Sequence, residues 1–155
     1  MTVTIEVEDE AWQALAGLDQ LARTAVASAL SGAGADGQER EIALLFTSDQ
    51  SIAEINADWR GKNNPTNVLS FPASSDMPIP EGEPRPLGDI VLSHGVIARE
   101  AAEQGKTLHD HTAHLIVHGV LHLLGFDHDT DVEADKMEHL ETSILKGLGI
   151  SDPYE

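Results

Sequence analysis

Hydrophobic and polar positions alternate at the start of the chain. Val3, Ile5 and Val7 fall on one side of Thr2–Val7, the two-residue period of a strand. From Asp9, a residue type that caps helices, the period lengthens. Trp12, Leu15, Leu18, Leu21, Ala25 and Leu30 recur at helical spacing, which predicts one long helix closed by the Gly-rich stretch Ser31 to Gly37. Ile42–Thr47 (IALLFT) reads as a mostly buried strand, and Ser48 as the cap of a helix running through Trp59. Val68–Phe71 and Gly88–Leu92 are short strands, followed by a helix from about Ser93 to Gln104. Residues 72–86 hold Pro72, Pro78, Pro80, Pro84 and Pro86, which excludes regular structure; the segment is a functional loop or a tolerated surface insertion. An apolar helix follows from Thr107, and an acidic one from Asp131. The order β-α-β-α-β-β-α-α-α predicts an α+β chain folded as a single domain over residues 1–155. Its small, mixed, four-stranded sheet is covered by about five helices.

Composition narrows the chemistry. The chain has 155 residues, 41% of them hydrophobic and 23% charged, the balance of a soluble globular protein. No apolar run is long enough to span a membrane, and the acidic, alternating N-terminus is not a signal peptide, so the expected location is cytoplasmic. Cysteine is absent, which leaves His, Asp and Glu as metal ligands. The formal net charge is -18, from 27 acidic residues against 9 Lys and Arg. Such a field repels nucleic acid at long range, so any RNA-directed reading needs a local concentration of positive charge.

That chemistry is found in TLHDHTAHLIVHGVLHLLGFDH, residues 107–128. Thr107 with Asp110 three residues later resembles a capping box. Leu115, Ile116, Val117, Val120, Leu121, Leu123 and Leu124 make the helix apolar on most sides, hence buried, and Gly125 suits its termination. His118 and His122, four apart, project from one face, and a turn at Gly125 brings His128 back toward the same point. Three imidazoles predict one Zn²⁺ per chain, with a fourth coordination position left for water that ionises near neutral pH. The spacing is that of metzincin proteases, except that Gly119 stands where they carry the general-base Glu, which argues against a protease. Gly119 reflects either close approach of backbone or substrate beside the metal, or clearance for packing on the sheet.

HGVLHLLGFDH (118–128) resembles the signature of the YbeY family of bacterial rRNA-maturation factors. The likeness extends to INADWRGKNNPTNVLSFP (55–72), LGDIVLS (87–93), AHLIVHG (113–119) and LGISDPY (148–154). It implies a zincin-like fold with the metal site at the end of a buried central helix, and Zn²⁺ on His118, His122 and His128. It also implies a single-strand-specific metallo-endoribonuclease acting in 16S rRNA 3′-end processing and ribosome quality control. The implied partners are single-stranded rRNA precursors, the small ribosomal subunit and assembly proteins, with no membrane and no DNA. The family's functionally important arginine matches Arg60. Asn67 stands where the family carries Asp, a departure that bears on any acid/base or metal-supporting role there, while the amide retains hydrogen bonding.

The expected catalytic residues are therefore Arg60 and His118, with Arg60, Lys62 and His114 expected to bind substrate. A guanidinium holds phosphate through paired, charge-assisted hydrogen bonds; a surface salt bridge is the bland alternative. His114 either supports the metal ligands or lines the substrate groove, unless it is simply a satisfied core histidine. His111 continues that face nearer solvent. Asp127 either orients a ligand imidazole or stabilises its turn. Asp89 opens a strand from which it could reach the site. His94, His109 and His139 read as exposed or partner-packing residues, and DVEADKMEHLE (131–141) as the solvated face of the last helix. Two other functions fit the pattern less well. One is a metal-stabilised ribosome-assembly factor with little catalysis; the other is a metallopeptidase with a displaced base.

Overall fold

The computed structural model describes residues 1–35, 37, 39–73, 80, 82–127 and 129–153. Four strands form one sheet: β1 (Thr2–Val7), β2 (Arg40–Thr47), β3 (Val68–Pro72) and β4 (Arg85–Ser93), in the order β1-β2-β4-β3. β1, β2 and β4 run parallel, and β3 is an antiparallel edge on β4, with Leu69 opposite Val91. Five α-helices accompany them: α1 (Leu18–Gly32), α2 (Asp49–Arg60), α3 (His94–Gln104), α4 (Leu108–Leu123) and α5 (Asp131–Gly147). The mixed α+β architecture is the one expected.

Strand alternation assigns the two faces. Val3, Ile42, Leu44, Phe46, Ile90 and Leu92 turn toward α1, α4 and α5 and form the main core. Leu69 and Val91 turn the other way, onto Ile52 of α2. Asp89 shares that second face, where it lines a groove of about 710 Å³ across the sheet from α4.

Three local expectations are corrected. The helix expected from Asp9 to Leu30 is interrupted. A 3-10 turn, Glu10–Ala14, comes first, and Gly17 at φ 74 separates it from α1. The break lets Trp12 leave the helical stripe, bury completely, and donate from Nε1 to the Thr47 carbonyl at 3.0 Å, its ring edge-on to Phe46. Second, the Pro-rich segment is not wholly irregular, because Pro72 ends β3 while Arg85 and Pro86 begin β4. Both strand ends tolerate proline, which lacks a ladder donor. Within that segment, residues 74–79 and 81 lie outside the described residues. Third, His111 is not near solvent: it is 3% exposed.

α4 itself follows expectation. Thr107 caps it by accepting from Asp110 N at 3.0 Å, and Gly125 at φ 99 terminates the turn after it. Ile116, Val117, Val120 and Leu121 are fully enclosed. His111 reaches across to α3, where its Nε2 lies 3.0 Å from Glu100 Oε1. The same oxygen accepts from Asn67 Nδ2 at 3.0 Å, and Asn67 Oδ1 accepts from Val68 N. The amide at 67 thus ties the start of β3 to α3 and α4.

Two predictions follow from this packing. A Cβ on Gly88, at φ +146, would lie 2.3 Å from the Phe71 carbonyl and 2.8 Å from Leu123 Cδ2. Gly88→Ala is therefore expected to lower unfolding free energy by on the order of 1–3 kcal/mol in urea titration, and an unchanged midpoint would contradict the geometry. For His111, burial outweighs the bond to Glu100 and holds the imidazole pKa below its ordinary value of 6.5. The unfolded chain then takes the proton first. Stability from this group is complete above the ordinary value and is lost as pH falls through it toward the folded one. In chelator-treated protein, His111→Gln should make the loss of stability on acidification shallower, by at most about 1.4 kcal/mol per pH unit.

Candidate metal centre

The buried face of α4 cannot be apolar throughout, because His111, His114, His118 and His122 recur at intervals of three and four along one side of it. The last two meet. His118 Nε2 and His122 Nε2 stand 3.0 Å apart, with ring centroids separated by 4.5 Å. Two imidazole nitrogens each about 2.0–2.1 Å from a tetrahedral Zn²⁺ are about 3.3–3.4 Å apart. The pair therefore fits one ion with an adjustment of a few tenths of an ångström. His128, the third expected ligand, lies outside the described residues.

The pair opens onto a cleft of about 600 Å³ between α4 and the outer edge of β3. Arg60 lines the same cleft, as do Asn67, Phe126, Asp127 and Asp129. Arg60 arrives there because α2 ends on it, Gly61 adopting φ 69 as the C-cap. Lys62 is exposed beyond that cap and does not line the cleft. Asp89, on the other face of the sheet, does not reach it. His114 lies one turn before His118 and lines a separate hollow of about 390 Å³ beside Lys106 and His111.

Gly119 belongs to packing. A Cβ there would come within 3.0–3.2 Å of Ile90 and the Ser70 hydroxyl, so glycine allows α4 to sit close on β3 and β4. A side chain at this position would require Ile90 and Ser70 to give by a few tenths of an ångström. Among the other histidines, the His94 ring packs edge-on against Trp12, and His109 and His139 are exposed.

One residue escaped the sequence reading. Glu141 was grouped with the solvated face of the last helix, yet its side chain is 0% exposed. Its two oxygens face α4: Oε2 is 3.1 Å from His114 Nε2, and Oε1 contacts His118 Nδ1. His114, His118 and Glu141 bring metal-capable atoms within 4.8 Å of one another, a group that could hold an ion. A signal was present in the chain, because Glu141 falls on the stripe Met137, Glu141, Ile144, Leu145 that α5 buries. An acidic residue on an apolar stripe is the mark of a buried partner.

A family model described as Endoribonuclease YbeY matches residues 4–149. Endoribonuclease YbeY of Rhodopseudomonas palustris is 45% identical over 150 residues, covering 97% of this chain and 79% of the relative. Those of Allorhizobium ampelinum and Dinoroseobacter shibae are each 48% identical, over 99% of this chain and 95% and 91% of their own lengths. The solution structure of a Thermotoga maritima protein shares the fold, with a TM-score of 0.59 at 20% identity over 95% of this chain and 91% of that one. Because the match runs nearly end to end and includes the helix that carries the paired imidazoles, the chain belongs to the YbeY endoribonuclease family.

Proposed function

We propose that this chain is a Zn²⁺-dependent, single-strand-specific endoribonuclease, a single-domain hydrolase acting on rRNA precursors. The observation that carries the reading is the 3.0 Å approach of the His118 and His122 Nε2 atoms at the wall of a cleft that also holds Arg60. In this reading His118, His122 and His128 hold the ion. When bound, Zn²⁺ supplies a water that ionises near neutral pH and a Lewis acid for a phosphate oxygen.

The chain's own groups do the rest. His118 and His122 present their Nε2 lone pairs to one point because four residues of helix bring both rings to the same face. Arg60 donates paired hydrogen bonds to the non-bridging oxygens of the scissile phosphate and stabilises the charge that develops there during hydrolysis. Lys62 adds positive potential just outside the cleft, and His114 acts from behind His118. The rRNA 3′-end substrate, the small-subunit and assembly-protein partners, the part in ribosome quality control and the cytoplasmic location are proposed from family membership. Consistent with them, no helix among the described residues is long and apolar enough to cross a membrane.

Cleavage of a single-stranded RNA carrying an rRNA 3′ end, by rigorously nuclease-free protein, tests the reading. His118→Ala and His122→Ala should each lower the rate by about three orders of magnitude or more, as loss of metal-assisted charge stabilisation requires. Equal cleavage by either variant would assign the activity to a contaminant. Arg60→Ala should reduce kcat by about 10²–10³. Chelation should abolish cleavage and lower the melting temperature, both returning with Zn²⁺. An assembly factor with a structural metal would recover stability alone, and hydrolysis of a peptide library would favour the peptidase.

A further inference from the structure

A carboxylate with no solvent exposure is costly unless hydrogen bonds or charges compensate it. Glu141 meets that requirement with two imidazoles of α4, reached across the α4–α5 interface. One of them is His118, whose two nitrogens are engaged on opposite sides of the ring. Nδ1 faces Glu141 between the helices, and Nε2 faces His122 and the cleft.

Resting on the metal reading above, we propose that Glu141 is the positioning residue of the metal centre. Its carboxylate accepts a hydrogen bond from His118 Nδ1–H, which keeps the proton on that nitrogen and leaves the Nε2 lone pair free for the ion. His114, donating from Nε2 to the other oxygen at 3.1 Å, holds the carboxylate in place. A ligand imidazole held in this way cannot turn about its ring axis and is a stronger donor to the metal.

The same three side chains could be read as ligands of an ion lying between α4 and α5. Geometry points the other way. Glu141 Oε1 and His118 Nδ1 are in direct hydrogen-bond contact, so each already has the other as its partner. An ion on that side would also be sealed behind a fully enclosed carboxylate, whereas the Nε2 side opens onto the cleft that Arg60 lines.

Glu141→Gln separates these roles with little change of shape. An amide presents one acceptor and one donor where the carboxylate presents two acceptors. One of the two imidazoles then meets an N–H group and must exchange its tautomer or lose its bond. The experiment uses histidine-¹⁵N-labelled full-length chain with and without Zn²⁺, and chelator competition to measure Zn²⁺ affinity. In metal-free wild-type protein His118 is expected as the Nδ1–H tautomer, and in the loaded protein it coordinates through Nε2. Glu141→Gln should shift the His118 tautomer and weaken Zn²⁺ binding by about 10–100-fold, with circular dichroism showing the variant folded. Glu141→Asp, which keeps the charge but shortens the reach, should fall between. An Nε2–H tautomer in the metal-free wild type, coordination through Nδ1, or unaltered affinity in a folded Glu141→Gln would each overturn the proposal while leaving the metal reading in place. Wild-type protein that takes up no Zn²⁺ would overturn both. Should the Gln variant fail to fold, the wild-type tautomer and coordinated nitrogen decide the matter alone.

Discussion

Burial of α4 is the constraint around which the rest of the molecule is arranged. Ile116, Val117, Val120 and Leu121 are fully enclosed and Leu115 is 5% exposed, so the helix lies inside the protein rather than on it. Removing such side chains from water contributes roughly 1.5–3 kcal/mol each, which holds the helix in place against α1, α5 and the sheet. The same helix carries four imidazoles, and polar groups taken into that interior need partners. Glu100 on α3 and Glu141 on α5 are among them. The neighbouring helices therefore provide packing surface and, at one position each, the acceptor that makes a histidine tolerable inside.

The sheet sets the height of that helix. Glycine at 119 lets α4 approach Ile90 and Ser70, and glycine at 88 lets β4 pass beneath the Phe71 carbonyl and the Leu123 side chain. Together they bring β3 and the last turn of α4 close enough to form the two walls of one cleft. The contact also bears on chemistry. In metzincin spacing the residue after the first histidine is the general-base Glu, and here that position is packed against the sheet. A catalyst built on this helix must take its proton acceptor from another group.

Charge shows the same division between global and local. A net charge of -18 opposes RNA at a distance, but at physiological ionic strength exposed charges are screened beyond about 8 Å. Among the described residues that line the cleft, Arg60 carries the positive side chain. Lys106 is placed in the separate hollow beside His111, and Arg85 pairs with Arg40 at the start of β4. Neither lines the cleft. Arg60 shares the cleft with Asp127 and Asp129, so the cation that a phosphate would need there comes from this one guanidinium and from a bound metal ion.

What the sequence determined by itself was whatever depends on neighbours along the chain. The strand period at Val3, Ile5 and Val7, the four-residue step from His118 to His122 and the glycine stop at 125 are all local. Each is set by backbone geometry that a few residues impose. The tertiary structure decided what depends on residues distant in the chain. It broke the first helix at Gly17 so that Trp12 could reach Thr47, and it enclosed His111 against Glu100. It also turned Glu141 from an apparent surface charge into a partner of His118, 23 residues away. Periodicity reports which side of a helix is apolar. Whether a polar residue on that side is exposed or buried depends on which other element packs there, and that information is spread over the whole fold.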